Sequence, residues 1–376
     1  MNRFPENKII SLIGEPHRQE LGESIGPDLR LAELLNLSGP PAIGDVALGY
    51  ASAEGDLRLR KKIAEVHAVS PEDVVITIGG VHALFLIAYI LCDRSDEAVV
   101  MSPLFPPARN VLEIVGANVR VLSLSFDRGY QVDPADLRAQ LSPRTKLVSL
   151  ASPQNPSGVS IPAKALHGIL AAMRECCPDA YLLLDETYRE AAYGKDPVAP
   201  SAIGLSSKII SVSSLSKCHG APGLRIGWAI TQDTALRRQL VLGKFNTVIS
   251  CSPVDEALGL QVLAQQDRII AERRQRLADG LAKTADWVLA NGDLVEWVRP
   301  DAGALCCVRL KPSAFDDVAV SRFHDVLADM GIGIGDGRWF GDEARVLRLG
   351  FGYHPMPVFR AALDALAAAL RRTARA

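Results

Sequence analysis

From residue 54 onward the hydrophobic positions alternate between two textures. Short continuous apolar runs occupy residues 74–78, 98–101, 119–122, 147–150, 181–184, 209–212 and 226–230. Between several of them lie stretches with apolar residues three and four apart, such as 57–66 and 166–173. A short unbroken apolar run is how a strand buried on both faces reads, and three-four spacing is the mark of a helix with one wet face. Their alternation predicts an α/β fold, a mostly parallel central sheet flanked by helices.

Past Pro253 the texture changes. Helical spacing, rich in arginine and alanine and free of proline, runs from about residue 255 to 289. Strand-like runs come next at 294–298 and 305–310, then a helix at 318–330, a strand at 346–349 and a last helix at 358–372. That order predicts a smaller α+β domain. The expected organisation is an N-terminal segment (1–35) packing with the small domain, and a large domain over 36–252. The interdomain helix and small domain then occupy 253–376.

Composition removes several classes of function. Hydrophobic residues make up 48% of the 376 and charged residues 22%, so the chain can bury a core large enough for an enzyme. With 41 Lys+Arg against 43 Asp+Glu the net charge is −2, without the basic excess of a nucleic-acid surface. The longest apolar run, 83–92, is about half of the ~20 residues that cross a bilayer, and the N-terminus lacks the pattern of a secretory signal. Seven cysteines without a CxxC pair predict a reduced, cytoplasmic protein. The seven histidines form no HxH or HExxH pattern, so no metal site is expected. The glycine-rich stretch 331–337 lacks GxGxxG spacing and reads as a strand and loop leading into Arg338-Trp339-Phe340-Gly341.

Ligands of open α/β sheets bind at the carboxyl ends of the strands, so the residues just after each apolar run matter most. Gly79-Gly80-Val81-His82 opens a helix whose free N–H groups suit a phosphate. The polar loop Ser152-Pro153-Gln154-Asn155-Pro156-Ser157-Gly158 comes after 147–150, and Asp185-Glu186-Thr187-Tyr188 after 181–184. Ser213-Ser214-Leu215-Ser216-Lys217 comes after 209–212, with Arg225 eight residues beyond Lys217. Singly, each has an ordinary reading: a helix entry, an Asn-Pro turn, a cap or ion pair, a solvated lysine. In this order they ask for a bound phosphate, an amine that reacts with an aldehyde, and a carboxylate facing a heterocyclic nitrogen.

The chain resembles the class I/II aminotransferases, fold-type I pyridoxal-phosphate enzymes, over nearly its whole length. The run from Ser214 through Lys217-Cys218-His219-Gly220-Ala221-Pro222-Gly223-Leu224-Arg225 to Gly227 looks like that family's lysine motif. Asn155-Pro156-Ser157-Gly158 and Asp185-Glu186-Thr187-Tyr188 match two more motifs in the expected order. Tyr50 with Gly55, Gly14-Glu15-Pro16 and Arg348-Leu349-Gly350 add weaker matches.

The resemblance implies a role for each position. Lys217 would bond the cofactor aldehyde as a Schiff base and then move the substrate α-proton. Asp185 would pair with the pyridine nitrogen, while Asn155 and Tyr188 would hydrogen-bond the phenolic oxygen. Ser214, Arg225 and the Gly80 and Val81 N–H groups would hold the phosphate. Phe105 would stack on the ring, and Tyr50 would reach the phosphate of the other subunit, which implies a homodimer with shared sites. Arg348 would clamp the substrate carboxylate, near Gly14 and Asn155. Val81 and His82 stand where the family often places hydroxyl or amide side chains, so part of the phosphate grip falls to backbone. Cys218-His219 reads as packing, and His82 and His219 are the two histidines expected near the cofactor. Asn246 falls near the place where dicarboxylate-specific members carry a second arginine, which argues against an acidic donor. The implied activity is transfer of an amino group from an L-amino acid to a 2-oxo acid. The alternative is a lyase, cyclase or oxidative enzyme built on the same machinery.

Overall fold

The computed structural model describes residues 4–12, 17–38 and 43–375, and each of the seven apolar runs is a strand of one sheet. They are β1 (Val74–Ile78), β2 (Glu97–Ser102), β3 (Asn118–Ser123), β4 (Thr145–Ala151), β5 (Tyr181–Asp185), β6 (Ile209–Ser214) and β7 (Ile226–Thr231). Their order across the sheet is β1-β7-β6-β5-β4-β2-β3. β7 runs antiparallel to both neighbours, and the remaining pairs are parallel. The parallel strands therefore release their carboxyl ends on one edge of the sheet, where the loops after β2, β4, β5 and β6 converge.

Some helices start where a side chain satisfies the first turn. Leu57–His67 is capped by Asp56, whose carboxylate accepts the N–H groups of Arg58 and Leu59. Ala163–Cys176 contains the predicted 166–173 spacing and buries Leu166, Ile169, Leu170 and Met173. A second core surrounds a four-stranded antiparallel sheet of β8 (Val295–Val298), β9 (Leu305–Leu310), β10 (Gly335–Asp336) and β11 (Val346–Gly350), in the order β10-β11-β9-β8. The helices Asp317–Asp329 and Met356–Thr373 cover it, burying Phe323, Leu347, Leu349, Phe359 and Leu363 together.

Two expectations need correction. The long helix expected over 255–289 is two helices, Pro253–Ala264 and Gln266–Ala290, which meet at Gln265 (φ −107°, ψ 12°). The reason lies in where their apolar faces point. Leu258, Val262 and Leu263 pack into the first core, whereas Leu277, Leu281, Trp287 and Val288 pack into the second. The first core thus continues past residue 252, as far as Ile269. The N-terminal segment is divided as well. Gln19–Glu20 pairs parallel with Ile332–Gly333 and Leu21 enters the second core, but Leu34 belongs to the first. The stretch 331–337 forms short strands and a turn, as its spacing predicted.

Candidate active site

At the start of the helix Gly79–Leu91 no side chain caps the first turn; the Gly79 N–H donates to Arg225 O at 2.8 Å, and the first-turn N–H groups that follow it are open to an anion. Gly79 has a left-handed φ of +68°, and a Cβ there would meet Arg225 Nη2 at 2.4 Å, so the guanidinium lies against this turn. Arg225 is held in place by its own φ of +50° and by Nη1 donating to Pro222 O at 2.9 Å. Gly227 lets β7 pass beneath, because a Cβ there would stand 2.4 Å from Gly79 C and 2.5 Å from Gly80 N. Ser214, buried at the end of β6, is the register partner of Gly227. A cleft of about 560 Å³ opens beside this turn, lined by Ile78, Val81, His82 and Arg225 among others.

Lys217 stands just beyond β6. Its Nζ donates to Ser24 Oγ at 3.1 Å, and Ser24, Tyr188 and Lys217 share the wall of one small cavity. Burial, and after it the positive charge of Arg348, pulls the Lys217 amine down to about 8. Asp185 ends β5 and accepts the Thr187 N–H at 2.9 Å, and burial pushes its carboxyl above the ordinary range. Burial likewise raises the Tyr188 phenol, whose hydroxyl is enclosed without a well-formed hydrogen bond.

Arg348, on β11, is the deepest cation of the site. Its neighbours Leu347 and Leu349 pack into the second core, so strand alternation turns Arg348 the other way. There Nη1 donates to Asn155 Oδ1 at 3.1 Å and Nη2 to Gly22 O at 2.5 Å, while the guanidinium sits 4.6 Å from the centroid of the Phe340 ring. Its Nε has no hydrogen-bond partner among the described residues, although Arg348 is only 4% exposed. Orphaned buried polar atoms of this kind are expensive unless a ligand completes them.

The family model of "Aminotransferase class I and II" matches residues 41–366. The chain belongs to the class I and II aminotransferases. Arginine–pyruvate transaminase of Pseudomonas aeruginosa is 28% identical over 314 residues, which cover 78% of this chain and 75% of that one. Capreomycidine synthase of Streptomyces vinaceus is 30% identical over 322 residues, 85% of this chain and 80% of that one. The crystal structure of a PLP-dependent aminotransferase from Streptococcus suis has the same fold, with a TM-score of 0.89, 24% identity and full coverage of both chains.

The cofactor of this aminotransferase is pyridoxal 5′-phosphate, and its residues fit that group. The uncapped turn and Arg225 could take a phosphate, Lys217 an aldehyde, Asp185 a ring nitrogen, and the enclosed Tyr188 hydroxyl a phenolic oxygen. The fold thus brings Gly80, Val81, Asn155, Asp185, Tyr188, Ser214, Lys217, Arg225 and Arg348 to the same edge of the sheet. Phe105 is half-buried after β2, and its neighbour Leu104 donates to Phe340 O at 2.9 Å. Tyr50 is 84% exposed in coil before the helix Leu57–His67. Gly14 lies outside the described residues.

Other positions resolve more simply. Cys218 is buried, its thiol pushed up to about 12 by desolvation, and its Sγ donates to Thr187 O at 3.1 Å, which is a packing role. His82 Nδ1 accepts the Ile78 N–H at 3.2 Å beside the phosphate turn. His219 instead faces Glu190, with Nε2 3.8 Å from the carboxylate. Among the described residues no group of His, Cys, Asp and Glu is arranged to hold a metal ion, and no helix is long and apolar enough to cross a membrane. The sequence reading missed Gly22 and Ser24, which touch Arg348 and Lys217. The signal available was the run Leu21-Gly22-Glu23-Ser24, a second Gly-Glu pair after an apolar residue, eight positions past Gly14-Glu15.

Proposed function

We propose that this aminotransferase moves the amino group of a non-acidic L-amino acid to a 2-oxo acid, with Lys217 as the residue that bonds the cofactor and carries the α-proton. The setting of Lys217 carries the reading. An amine pulled to about 8, held by Ser24 and flanked by Arg348 and Asp185, is neutral often enough near pH 7 to act as nucleophile and base. When bound, pyridoxal phosphate supplies an aldehyde that captures amines and a ring that accepts electrons. Asp185 would hold a proton on the ring nitrogen, and Asn155 and Tyr188 would hydrogen-bond the phenolic oxygen. Gly80, Val81, Ser214 and Arg225 would grip the phosphate, Phe105 would stack on the ring, and Arg348 would take the substrate carboxylate.

Asn246 supports a non-acidic donor: it is exposed on the last turn of the helix Thr234–Val248, its Nδ2 on Leu242 O at 2.8 Å, and it brings no cation. Arginine and pyruvate, in the name of one relative, belong to the proposed donor and acceptor classes. The exposed Tyr50 supports a homodimer in which that tyrosine completes the partner's site. Mixing Lys217→Ala with Tyr50→Ala chains should then restore part of the activity, because a hybrid dimer can assemble one intact site. Seven free cysteines support a cytoplasmic setting. We also propose the division into a cofactor domain over 36–252 and a small domain over 253–376 joined by 1–35, with the packing of Leu34, of Pro253–Ala264 and of Ile269 into the first core as exceptions.

A second reading, a cyclase or lyase on the same machinery, is favoured by the 30% identity to capreomycidine synthase. One experiment addresses both. Purified holoenzyme is given a panel of amino acids, the cofactor absorption is followed, and a 2-oxo acid is then added. Bleaching that the 2-oxo acid reverses supports transamination. Turnover that releases a cyclised or eliminated product without consuming the 2-oxo acid supports the second reading, and a silent enzyme overturns both.

A further inference from the structure

We propose that Arg273 is a positioning residue for Lys217: its guanidinium pins the stretch that carries Ser24 against the loop that follows Lys217, and so keeps the Ser24 hydroxyl on the Lys217 amine. The inference rests on the proposed role of Lys217 as the residue that moves the α-proton, and it extends that role to a side chain on another helix.

Ser24 sits in the middle of a stretch that crosses from the second core, which Leu21 enters, to the first, on which Leu29 packs. At one end the Leu21 N–H donates to Gly333 O and the Leu21 carbonyl accepts the Gly350 N–H, both at 2.7 Å. Gly350 and Gly352 leave room for the chain to pass, since a Cβ at Gly350 would overlap Glu23 O and one at Gly352 would stand 3.3 Å from Ile25 O. At the other end the Leu29 N–H donates to Gly220 O at 2.7 Å. Between these ends Ser24 Oγ accepts from Lys217 Nζ at 3.1 Å.

Arg273 meets this stretch from the helix Gln266–Ala290. Its guanidinium donates to Pro27 O, and a Cβ at Gly26 would stand 2.9 Å from Nη1. The same group lies on the lysine loop, because a Cβ at Gly220 would overlap Nη2. Gly220 has a left-handed φ of +66°, and its N–H donates to Lys217 O at 3.3 Å. Gly26 stands two residues beyond Ser24, and Gly220 three beyond Lys217. Ser24, Lys217 and Arg273 also line one small cavity.

The chemistry needs such a clamp. A lysine amine rides on a flexible four-carbon stem, so its direction is set by what it bonds. Proton transfer from a substrate carbon demands that the reacting atoms meet within about 3–3.5 Å. The bond at Leu29 is five residues from Ser24, too far along the chain to fix its hydroxyl. The contacts of Arg273 at Gly26 and Pro27 close that gap, and two glycines expose bare backbone to a planar fork that an ammonium cannot imitate. Gly22, which meets Arg348, is held from the other side through Leu21, so Arg273 governs the amine and leaves the carboxylate site in place.

The test uses the holoenzyme with the fastest donor of the amino-acid panel, protiated and α-deuterated. Arg273→Met should lower kcat by about ten- to a hundredfold with KM little changed, and its deuterium isotope effect on kcat should be large. Arg273→Lys should recover only part of the loss. Adding Arg273→Met to Ser24→Ala should cost nothing further, because the two act as one unit. Gly26→Ala, which shifts the guanidinium without removing it, should lower kcat in the same direction and serves if the Arg273 variants fold poorly. In the cofactor-free protein, hydrogen exchange over residues 21–29 should quicken in Arg273→Met and not in Ser24→Ala. An isotope effect near one in Arg273→Met, a loss carried by KM, or full additivity with Ser24→Ala overturns the proposal. Wild-type kcat in Ser24→Ala overturns it too and leaves Lys217 as the base. Activity retained by Lys217→Ala, or failure of every donor, removes the underlying reading instead.

Discussion

Arg348 Nη1 lies 3.1 Å from Asn155 Oδ1, a hydrogen bond between residues 193 positions apart that ties the small domain to the loop after β4. The same guanidinium reaches Gly22 O and rests over Phe340, so one side chain gathers three separate stretches of chain. A planar fork can do this and still offer an edge to a carboxylate, which a point charge cannot.

Arg348→Lys should therefore raise KM for amino acids and 2-oxo acids alike. Charge-assisted hydrogen bonds contribute about 1.5–3 kcal/mol each, so kcat/KM should drop by about ten- to a hundredfold. An amine without a carboxylate is the control and should lose far less. Equal losses on amine and amino acid would take Arg348 out of the carboxylate site.

Lys217 is expected to carry the cofactor covalently. Borohydride reduction of the holoenzyme followed by peptide mapping should place the pyridoxyl group on the peptide containing Lys217. A label on another lysine ends the assignment. Lys217→Ala should still bind the cofactor through Arg225 and the helix start, but lose proton transfer, a contribution of roughly 10²–10⁴-fold in rate.

Most of this site was legible because its residues come directly after doubly buried strands. Asp185 closes β5, Lys217 stands three residues after Ser214 at the end of β6, and Arg348 alternates with two core leucines. Period-two and period-3.6 patterns locate such positions without any knowledge of tertiary contacts. Gly22 and Ser24 were not legible in that way. They come from a segment positioned by pairing of Gln19–Glu20 with Ile332–Gly333, far away in sequence, and no local pattern encodes it. The break at Gln265 was hidden for a similar reason. Neither glycine nor proline marks it, and it exists because the two helices serve cores that lie in different directions.

Gly227 offers a test of the phosphate turn by steric means alone. Gly227→Ala would press a methyl group against backbone atoms of Gly79 and Gly80, which cannot swing aside as a flexible side chain can. Overpacking of this sort costs typically 1–3 kcal/mol, and here the displaced atoms, which include Gly80 N, belong to the turn proposed to hold the phosphate. Cofactor affinity, read by fluorescence titration, should weaken by at least about tenfold. Gly223→Ala, a position with nothing within 4 Å of the added carbon, should bind the cofactor as wild type does. Matching behaviour of the two variants would mean that the turn tolerates displacement and does not set the grip.

The lowered Lys217 amine makes a further prediction about the cofactor-free protein. Its folded value is about 8, pulled down first by burial and then by Arg348, whereas a lysine in the unfolded chain titrates near ~10.4. Below pH 8 the amine is protonated in both states, so the folded protein bears the full penalty of enclosing that charge. Between pH 8 and roughly 10.4 the unfolded chain holds more protons than the folded one, and stability gained from this group rises with pH. Above that window both forms are neutral and the penalty is gone. Lys217→Met, which keeps most of the length of the side chain and removes the amine, should accordingly raise the Tm of the cofactor-free protein at pH 7. The gap should narrow steadily as the pH passes from 8 towards 10, and comparing the two proteins at each pH cancels every other titrating group. The measurement is thermal unfolding followed by circular dichroism across that range. A gap that stays constant with pH would show that Lys217 does not titrate in this window, and the reading of it as an amine poised for chemistry near neutrality would fall with it.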